Sequence, residues 1–182
     1  ARVVKTDMIA NNGLLHEVNR VIMPATGNLT QTLAANSNLS FLNAAITRAG
    51  LAGTLNGSTA NFNLLAPTNA AFQAAGFATI ADIEAADPAV LTPILAAHVI
   101  PASVVAATSA GRLFSVDFRA RTYATLLGAN ITVTLNGTAP RFAGAGNGTN
   151  TAGVTAPDIL FRTNVAGGAP SVMHVIDRVI LP

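Results

Sequence analysis

The end of this chain repeats its beginning. Residues 14–24 read Leu-Leu-His-Glu-Val-Asn-Arg-Val-Ile-Met-Pro, and residues 172–182 read Val-Met-His-Val-Ile-Asp-Arg-Val-Ile-Leu-Pro. His16 falls on His174, Arg20 on Arg178 and Pro24 on Pro182, at a constant offset of 158 residues. A period of that length is a whole domain, whereas solenoid units repeat every ~20–50 residues. The chain therefore divides into residues 1–24, the closing segment of a preceding repeat or an N-terminal extension, and residues 25–182, one complete domain. Tandem architecture of this kind leans toward binding rather than catalysis.

Composition narrows the class. Hydrophobic residues make up 51% of the 182 positions, but charged residues only 10%, so the surface must be covered mainly by Asn, Thr, Ser and Gly. The longest apolar candidate, Ile94 to Ala107, is interrupted by His98, Pro101 and Ser103 and falls short of the ~20 residues a membrane helix needs. Membrane attachment is expected only through parts not in this chain. Cysteine is absent, which excludes disulfides, thiolate metal sites and a Cys nucleophile. The net charge of +2 is concentrated after residue 110, where six Arg face three Asp. That is too weak an asymmetry for a nucleic-acid footprint. Six Asn-x-Ser/Thr sequons, at Asn28, Asn38, Asn56, Asn130, Asn136 and Asn147, matter only in a host that glycosylates.

Two β-like runs flank Asn11-Asn12-Gly13, a turn signal. Leu33, Phe41, Leu42, Ala45 and Ile46 then recur at helical spacing. Asn38 or Ser40 can cap a helix that runs to Arg48 and stops at Gly50. Asn56-Gly57 reads as a hairpin turn leading into a short apolar strand that ends at Ala66. Pro67 follows, with Thr68 or Asn69 as a natural N-cap for the next helix. Thr79 to Ala86 reads as a helix with Asp82 and Glu84 near its start, and Pro88 opens another that carries His98 on its apolar face. From Arg112 onward a period of two dominates. It places Val116, Phe118, Ala120, Thr122 and Ala124 on one strand face and Arg119 and Arg121 on the other. Asn136-Gly137 is a further turn, residues 143–153 form a Gly/Asn-rich loop, and Val172 to Leu181 form the last strand. Helices fall in the first half and strands in the second, so the fold class is α+β.

Three ordered stretches carry a resemblance to the fasciclin domain family. Phe62 to Phe72, with Ala-Pro-Thr-Asn at 66–69, resembles the family's first signature: a strand ending before a helix that contains Phe. Leu91 to Val99 is similar to its central helix, with Ala97 where the family has Tyr before His98. Val172 to Pro182, with His174, Asp177 and Arg178, is close to the closing signature. The resemblance implies a β-wedge or sandwich of about seven strands with several helices packed on it. It also implies an exported protein, whether extracellular, at the cell surface or periplasmic, that acts as a non-enzymatic adhesion module toward a surface protein or glycan. The Cys-free composition points to a bacterial member. Animal fasciclin domains carry an Asp-Ile integrin motif shortly before the closing signature. Asp7-Met8, nine residues before His16, stands in that place in the N-terminal segment. Asn164-Val165 stands there in the complete domain, while Pro157-Asp158-Ile159-Leu160, sixteen residues before His174, counts as out of register.

Several residues invite sharper readings. His98 on an apolar helix face is expected to be a buried histidine that locks helix to sheet. His16 and His174, in equivalent strand positions, are read as framework together with Pro67, Thr68, Asn69, Phe72, Asp177 and Arg178. No His pair has metal spacing, and Asp82, Glu84 and Asp87 lack the ligand density of a calcium loop. No cofactor, metal or catalytic residue is expected. Arg119 and Arg121 are the best single guess for a partner surface, able to dock carboxylates or an anionic glycan; guarding an exposed strand edge is their plainer role. A carbohydrate- or small-ligand-binding domain, using that Arg face or a cleft between helices and sheet, is the alternative function. Residues 1–24 must bury their apolar face along the domain's edge or against a neighbour.

Overall fold

A computed structural model describes residues 3–18, 27–57, 61–105, 111–162 and 170–182. Arg20, Pro24 and Asn164-Val165 lie outside the described residues. The N-terminal segment is a two-stranded antiparallel hairpin, β1 (Val3–Ala10) and β2 (Gly13–Val18), turned at Asn11-Asn12. The helical half follows as α1 (Leu29–Ala34), α2 (Ser40–Arg48), α3 (Ala52–Leu55), β3 (Phe62–Pro67), α4 (Asn69–Ala74), α5 (Ile80–Ala85) and α6 (Pro88–Ala97). The strand half comprises β4 (Val99–Pro101), β5 (Arg121–Ala124), β6 (Asn130–Asn136), β7 (Ala139–Ala143), β8 (Ala152–Arg162) and β9 (Pro170–Ile176).

Strands β3 to β9 form one seven-stranded sheet in the order β4-β3-β9-β8-β7-β6-β5. Only β3 and β9 run parallel. They sit inside the sheet and are buried on both faces, in keeping with a run at 62–66 that is apolar except for Asn63. One face of β3, β8 and β9 packs Leu64, Phe161, Met173 and Val175 against Leu42, Ile46, Phe72, Ile83 and Leu91 of the helices. The other face joins Leu65 and Ile176 to Phe118, Tyr123, Ile131, Val133 and Phe142 inside the wedge. The Leu126 amide donates to the Val99 carbonyl at 2.8 Å, so the chain leaving β5 returns to β4 and nearly closes the wedge.

Local chemistry explains most boundaries. Thr79 caps α5 in a reciprocal capping box with Asp82. Asp87 caps α6, with Pro88 at its first position. Gly50, at φ +68, ends the turn after α2. Gly144 has no room for a side chain, because a Cβ there would collide with the Leu181 carbonyl.

Three expectations change. Asn56-Gly57 is not a hairpin turn. Residues 52–55 are helical, and the Asn56 side chain accepts from the Leu29 amide and donates to Thr30 Oγ1. The period-two reading fails over 112–120, because residues 115–117 turn back on themselves, with the Asp117 amide donating to the Phe114 carbonyl. That turn sends Phe118 and Tyr123, which sequence parity put on opposite faces, into the same core. The final strand stops at Ile176, where Asp177 and Gly153 exchange backbone and side-chain hydrogen bonds. Val179 and Ile180 beyond it are buried all the same.

Candidate interaction surface

Three neighbouring strands each send one polar side chain to the same loop. From β3, Asn63 is fully buried. Its Oδ1 accepts from the Leu113 amide at 2.7 Å and its Nδ2 donates to the Gly111 carbonyl at 3.0 Å. From β9, His174 Nε2 donates to the Leu113 carbonyl at 2.9 Å. From β8, the Asp158 carboxylate accepts from the Ser115 amide at 2.6 Å and the Ser115 hydroxyl at 2.7 Å. Asp158 stands at φ +62, a left-handed conformation that Asp tolerates better than most residues. It interrupts the β8–β9 ladder between Ala156 and Ile159 and turns its amide onto His174 Nδ1 at 3.4 Å. Each such bond is worth about 1 kcal/mol net, and an orphaned buried partner would cost ~1–3 kcal/mol.

These partners fix His174 as the neutral ring protonated on Nε2. Burial pushes its pKa down, against the opposing pulls of the Leu113 carbonyl and of Asp158, whose Oδ1 lies 3.8 Å from Nδ1. Ser115, Asp158 and His174 do not form a hydrolytic relay. Ser115 Oγ donates to the Asp158 carboxylate rather than to a histidine, and His174 Nε2 is spent on a buried carbonyl, so no imidazole relays a proton from the hydroxyl.

The loop delivers Phe118 into the core, edge-on to Phe142, Tyr123 and His174 with centroids 5.0, 5.9 and 5.2 Å away. Arg119 follows at the surface. Its amide donates to Tyr123 Oη at 3.1 Å, and its Nη1 donates to the Val116 and Phe118 carbonyls at 2.7 and 3.1 Å. Arg121, in β5, holds its guanidinium 4.6 Å from the Tyr123 ring centroid. The Arg121 guanidinium thus covers the ring whose hydroxyl the Arg119 backbone amide reaches, but only Arg121 is in a strand, and the Arg119 guanidinium spends two bonds on its own loop.

The remaining motif residues are placed as follows. Pro67 ends β3 opposite Ile176. Thr68 caps α4 through its hydroxyl, 3.2 Å from the Ala71 amide. Asn69 serves another helix: its Oδ1 accepts from the Phe41 amide of α2 at 3.0 Å, and its Nδ2 donates to the Ser37 carbonyl and Ser40 Oγ. Phe72 packs between Phe41 and Phe77. His98 Nδ1 donates to the Ile94 carbonyl at 2.7 Å, while its Nε2 accepts from the Ile180 amide at 2.9 Å. It joins α6 to the C-terminal segment, and full burial lowers its pKa to about 4. Asp177 is fixed by Gly153. Arg178 is exposed beside Ala71, Ala75 and Val179. Of the sequons, Asn147 is buried and bonded to the Val179 carbonyl, the Leu181 amide and the Gly144 amide, which withdraws it from modification.

Asp7 and Met8 sit in β1. Asp7 adopts φ +56 and donates its amide to His16 Nδ1 at 3.2 Å. Met8 pairs with Leu15. Ile159 pairs with Met173 in the same way, with Asp158 before it and His174 beyond. Asp158-Ile159 is therefore the structural counterpart of Asp7-Met8, which corrects the residue count that set it out of register. The seven extra residues, 163–169, stand in the sequence between the paired Arg162 and Pro170, outside the described residues.

Two features were not singled out from the sequence. Asn63 was legible as a lone polar residue in an apolar run, which must find partners when buried. Ser115 gave no local signal. A separate cleft of about 180 Å³ opens between α3 and the β4 edge, lined by Thr54, Leu55, Asn61, Phe62, Val99, Pro101 and Leu126. Its wall is apolar and has no titratable side chain. Among the described residues no group of three or more His, Cys, Asp or Glu could hold a metal ion, and no helix is long and apolar enough to cross a membrane.

Comparison with known proteins agrees with this geometry. The sequence profile of the Fasciclin domain matches residues 37–182. The transforming growth factor-beta-induced protein ig-h3 of Oryctolagus cuniculus is 35% identical over 106 residues, which is 58% of this chain and 15% of that protein. The Sus scrofa protein of the same name is 33% identical over 106 residues, with the same coverage. The chain thus spans about 15% of the length of these curated relatives. Among solved structures, a FAS1 domain pair from the insect cell adhesion molecule fasciclin I matches with a TM-score of 0.64 at 16% identity, over 99% of this chain and 59% of that one. By its sequence signatures and by its wedge of seven strands under a helical layer, the chain belongs to the fasciclin domain family.

Proposed function

We propose that this chain is a non-enzymatic, adhesion-type binding module of an exported protein, extracellular or at the cell surface. The observation that carries the reading is family membership over residues 37–182, together with a fold shared with a domain pair from an adhesion molecule. The polar network supports it: its hydrogen-bonding groups are spent on holding a loop, an investment in shape rather than in a reactive group. The contact surface we assign is the β8 bulge, Pro157 and Asp158 with the flanking 115–119 turn. Pro157, Asp158, Val116 and Arg119 are exposed there on a rigid support, and the ladder equivalence of Asp158-Ile159 with Asp7-Met8 supports choosing this surface.

The test is binding of the immobilised chain to cells, matrix proteins and a glycan array. Asp158→Asn removes the charge but keeps an acceptor for Ser115. It should weaken binding about tenfold, the cost of ~1.4 kcal/mol, without moving the melting temperature by more than about 2 °C. Binding unchanged by Asp158→Asn would move the surface elsewhere, and no binding to any of the three would overturn the adhesion reading. Selective glycan binding abolished by Arg121→Ala would favour the carbohydrate-binding alternative.

A further inference from the structure

A groove of about 570 Å³ runs between α2 and α5 on the solvent side of the helical layer. That volume lies within the ~300–1,000 Å³ of small-molecule sites. Helix α2 sends Phe41, Leu42, Ala45 and Ile46 into the core. Its residues 40, 43, 44, 47 and 48 therefore line up on the other side, at three- and four-residue spacing, and form one wall. Ile80 and Glu84, four residues apart on α5, form the other wall, while Ile83 between them is buried. The groove belongs to the helical layer, whereas Leu113 and Phe118 of the loop described above pack in the second core.

The polar groups along it are held in place but not used up. Arg48 Nε donates to the Ala86 carbonyl at 2.9 Å, just beyond the end of α5. That bond ties the two helices together and fixes the guanidinium, whose Nη groups have no partner among the described residues. The Glu84 carboxylate and the Asn43 side-chain amide have none there either. No ion pair joins Glu84 to Arg48, the one among the described residues being His174–Asp158. Ser40 Oγ accepts from Asn69 Nδ2 at 3.0 Å, which keeps its own proton available to an acceptor. Only the Thr47 hydroxyl is spent, on the Asn43 carbonyl. Between these groups lie two aliphatic side chains, the half-buried Ala44 and Ile80, which is 37% exposed. The Thr79–Asp82 capping box fixes the turn that carries Ile80.

From this we infer that the α2–α5 groove binds a neutral saccharide, taken as a short segment of a glycan chain. A carboxylate accepts hydroxyl protons, while a guanidinium and an amide donate to hydroxyl oxygens. The C–H face of a sugar ring rests on Ala44 and Ile80. The lining carries one cation and one carboxylate, so an anionic ligand meets Glu84 and a cationic one meets Arg48, whereas alternating hydroxyls satisfy both. The groove is open to solvent along one side, which suits a chain segment rather than an enclosed monosaccharide. Because the helices and the guanidinium are already fixed, little ordering opposes binding. The inference uses neither Asp158 nor Arg119 and Arg121, so it can fail while the adhesion reading stands.

NMR titration of the 182-residue chain with maltotriose, cellotriose, mannotriose and N,N′,N″-triacetylchitotriose tests it. At least one of these should shift the amides of residues 43–48 and 80–84 saturably and leave those of 113–119 in place. Glu84→Gln keeps the shape but loses the charged acceptor, and should weaken that binding about tenfold, or ~1.4 kcal/mol. Arg48→Lys keeps the charge but loses the fork, and should do the same. Asn43→Ala should weaken it by a smaller factor, and Arg121→Ala should leave it unchanged. Glu84→Gln should move the melting temperature by no more than about 2 °C, which separates a lost contact from a lost fold. If Arg48→Lys disturbs the tie to Ala86, Glu84→Gln carries the test by itself. The absence of a saturable shift with all of these trisaccharides would overturn the inference. So would shifts confined to residues outside the groove, tighter binding there of trigalacturonate or of the zwitterion glycylglycine, or unchanged affinity in Glu84→Gln.

Discussion

The two closing hairpins share a backbone and differ in everything around it. In β8–β9 a loop holds the bulged Asp158 and its histidine, while Met173 and Val175 of the same strand pair pack on the helical layer. In β1–β2 the bulged Asp7 keeps the same φ region and the same bond to its histidine with neither neighbour present. The bulge is therefore written locally, in an Asp that tolerates the left-handed region and a histidine acceptor across the ladder. What the tertiary structure adds is value: a methyl or an imidazole at the same strand position stabilises only where it displaces water.

The sharpest way to break this comparison is a matched pair of truncations. Met173→Ala should cost about 2–5 kcal/mol in urea unfolding, because Met173 is buried between helices and sheet and leaves a cavity. Leu15→Ala at the equivalent exposed site should stay within about 0.5 kcal/mol. Equal costs would show that the hairpin belongs to the 27–182 core after all.

The next largest effect is a pH dependence from the two buried histidines. His98 has a folded pKa of about 4 against an unfolded value of 6.5. Both states are neutral above 6.5, so its contribution is fully present there. Between 6.5 and 4 only the unfolded chain takes up the proton, and stability falls with falling pH, by roughly 3 kcal/mol when complete. His174, shifted in the same direction by burial, steepens the loss. Urea midpoints measured from pH 7 to pH 4 should drop accordingly, and a flat profile would contradict the burial of both rings.

The smallest effect sharpens the comparison at the histidines themselves. His174→Ala strips a partner from the Asp158 amide and the Leu113 carbonyl and should cost ~1–3 kcal/mol. His16→Ala, whose only described bond is to an exposed amide, should be nearly silent. Denaturant unfolding of the two variants side by side decides it.

Much of the fold was legible, for identifiable reasons. The Thr79–Asp82 capping box, Pro88 at a helix start, the Thr68 cap and the Asn136-Gly137 turn are satisfied by residues within a few positions of one another, so their signals survive in one dimension. The 115–117 turn was not legible, because it depends on Asp158, which lies 43 residues away and holds Ser115. Asn69 looked like a cap for the helix it opens, yet its amide serves α2, 28 residues earlier. The register of Asp158 was hidden by simple arithmetic, since extra residues between two paired strands change the residue count without changing the ladder.

By itself, the sequence determined the starts of α4, α5 and α6, the short apolar strand that ends at Ala66, the family, and the fact that its closing segment is present twice. Only the tertiary structure brought Asp158-Ile159 into register with Asp7-Met8 and placed Asn63, Asp158 and His174 around one loop. The physical reason is range. Capping and bulge formation are settled by neighbours along the chain, whereas burial and the pairing of buried polar groups are settled by whichever distant segment excludes the water.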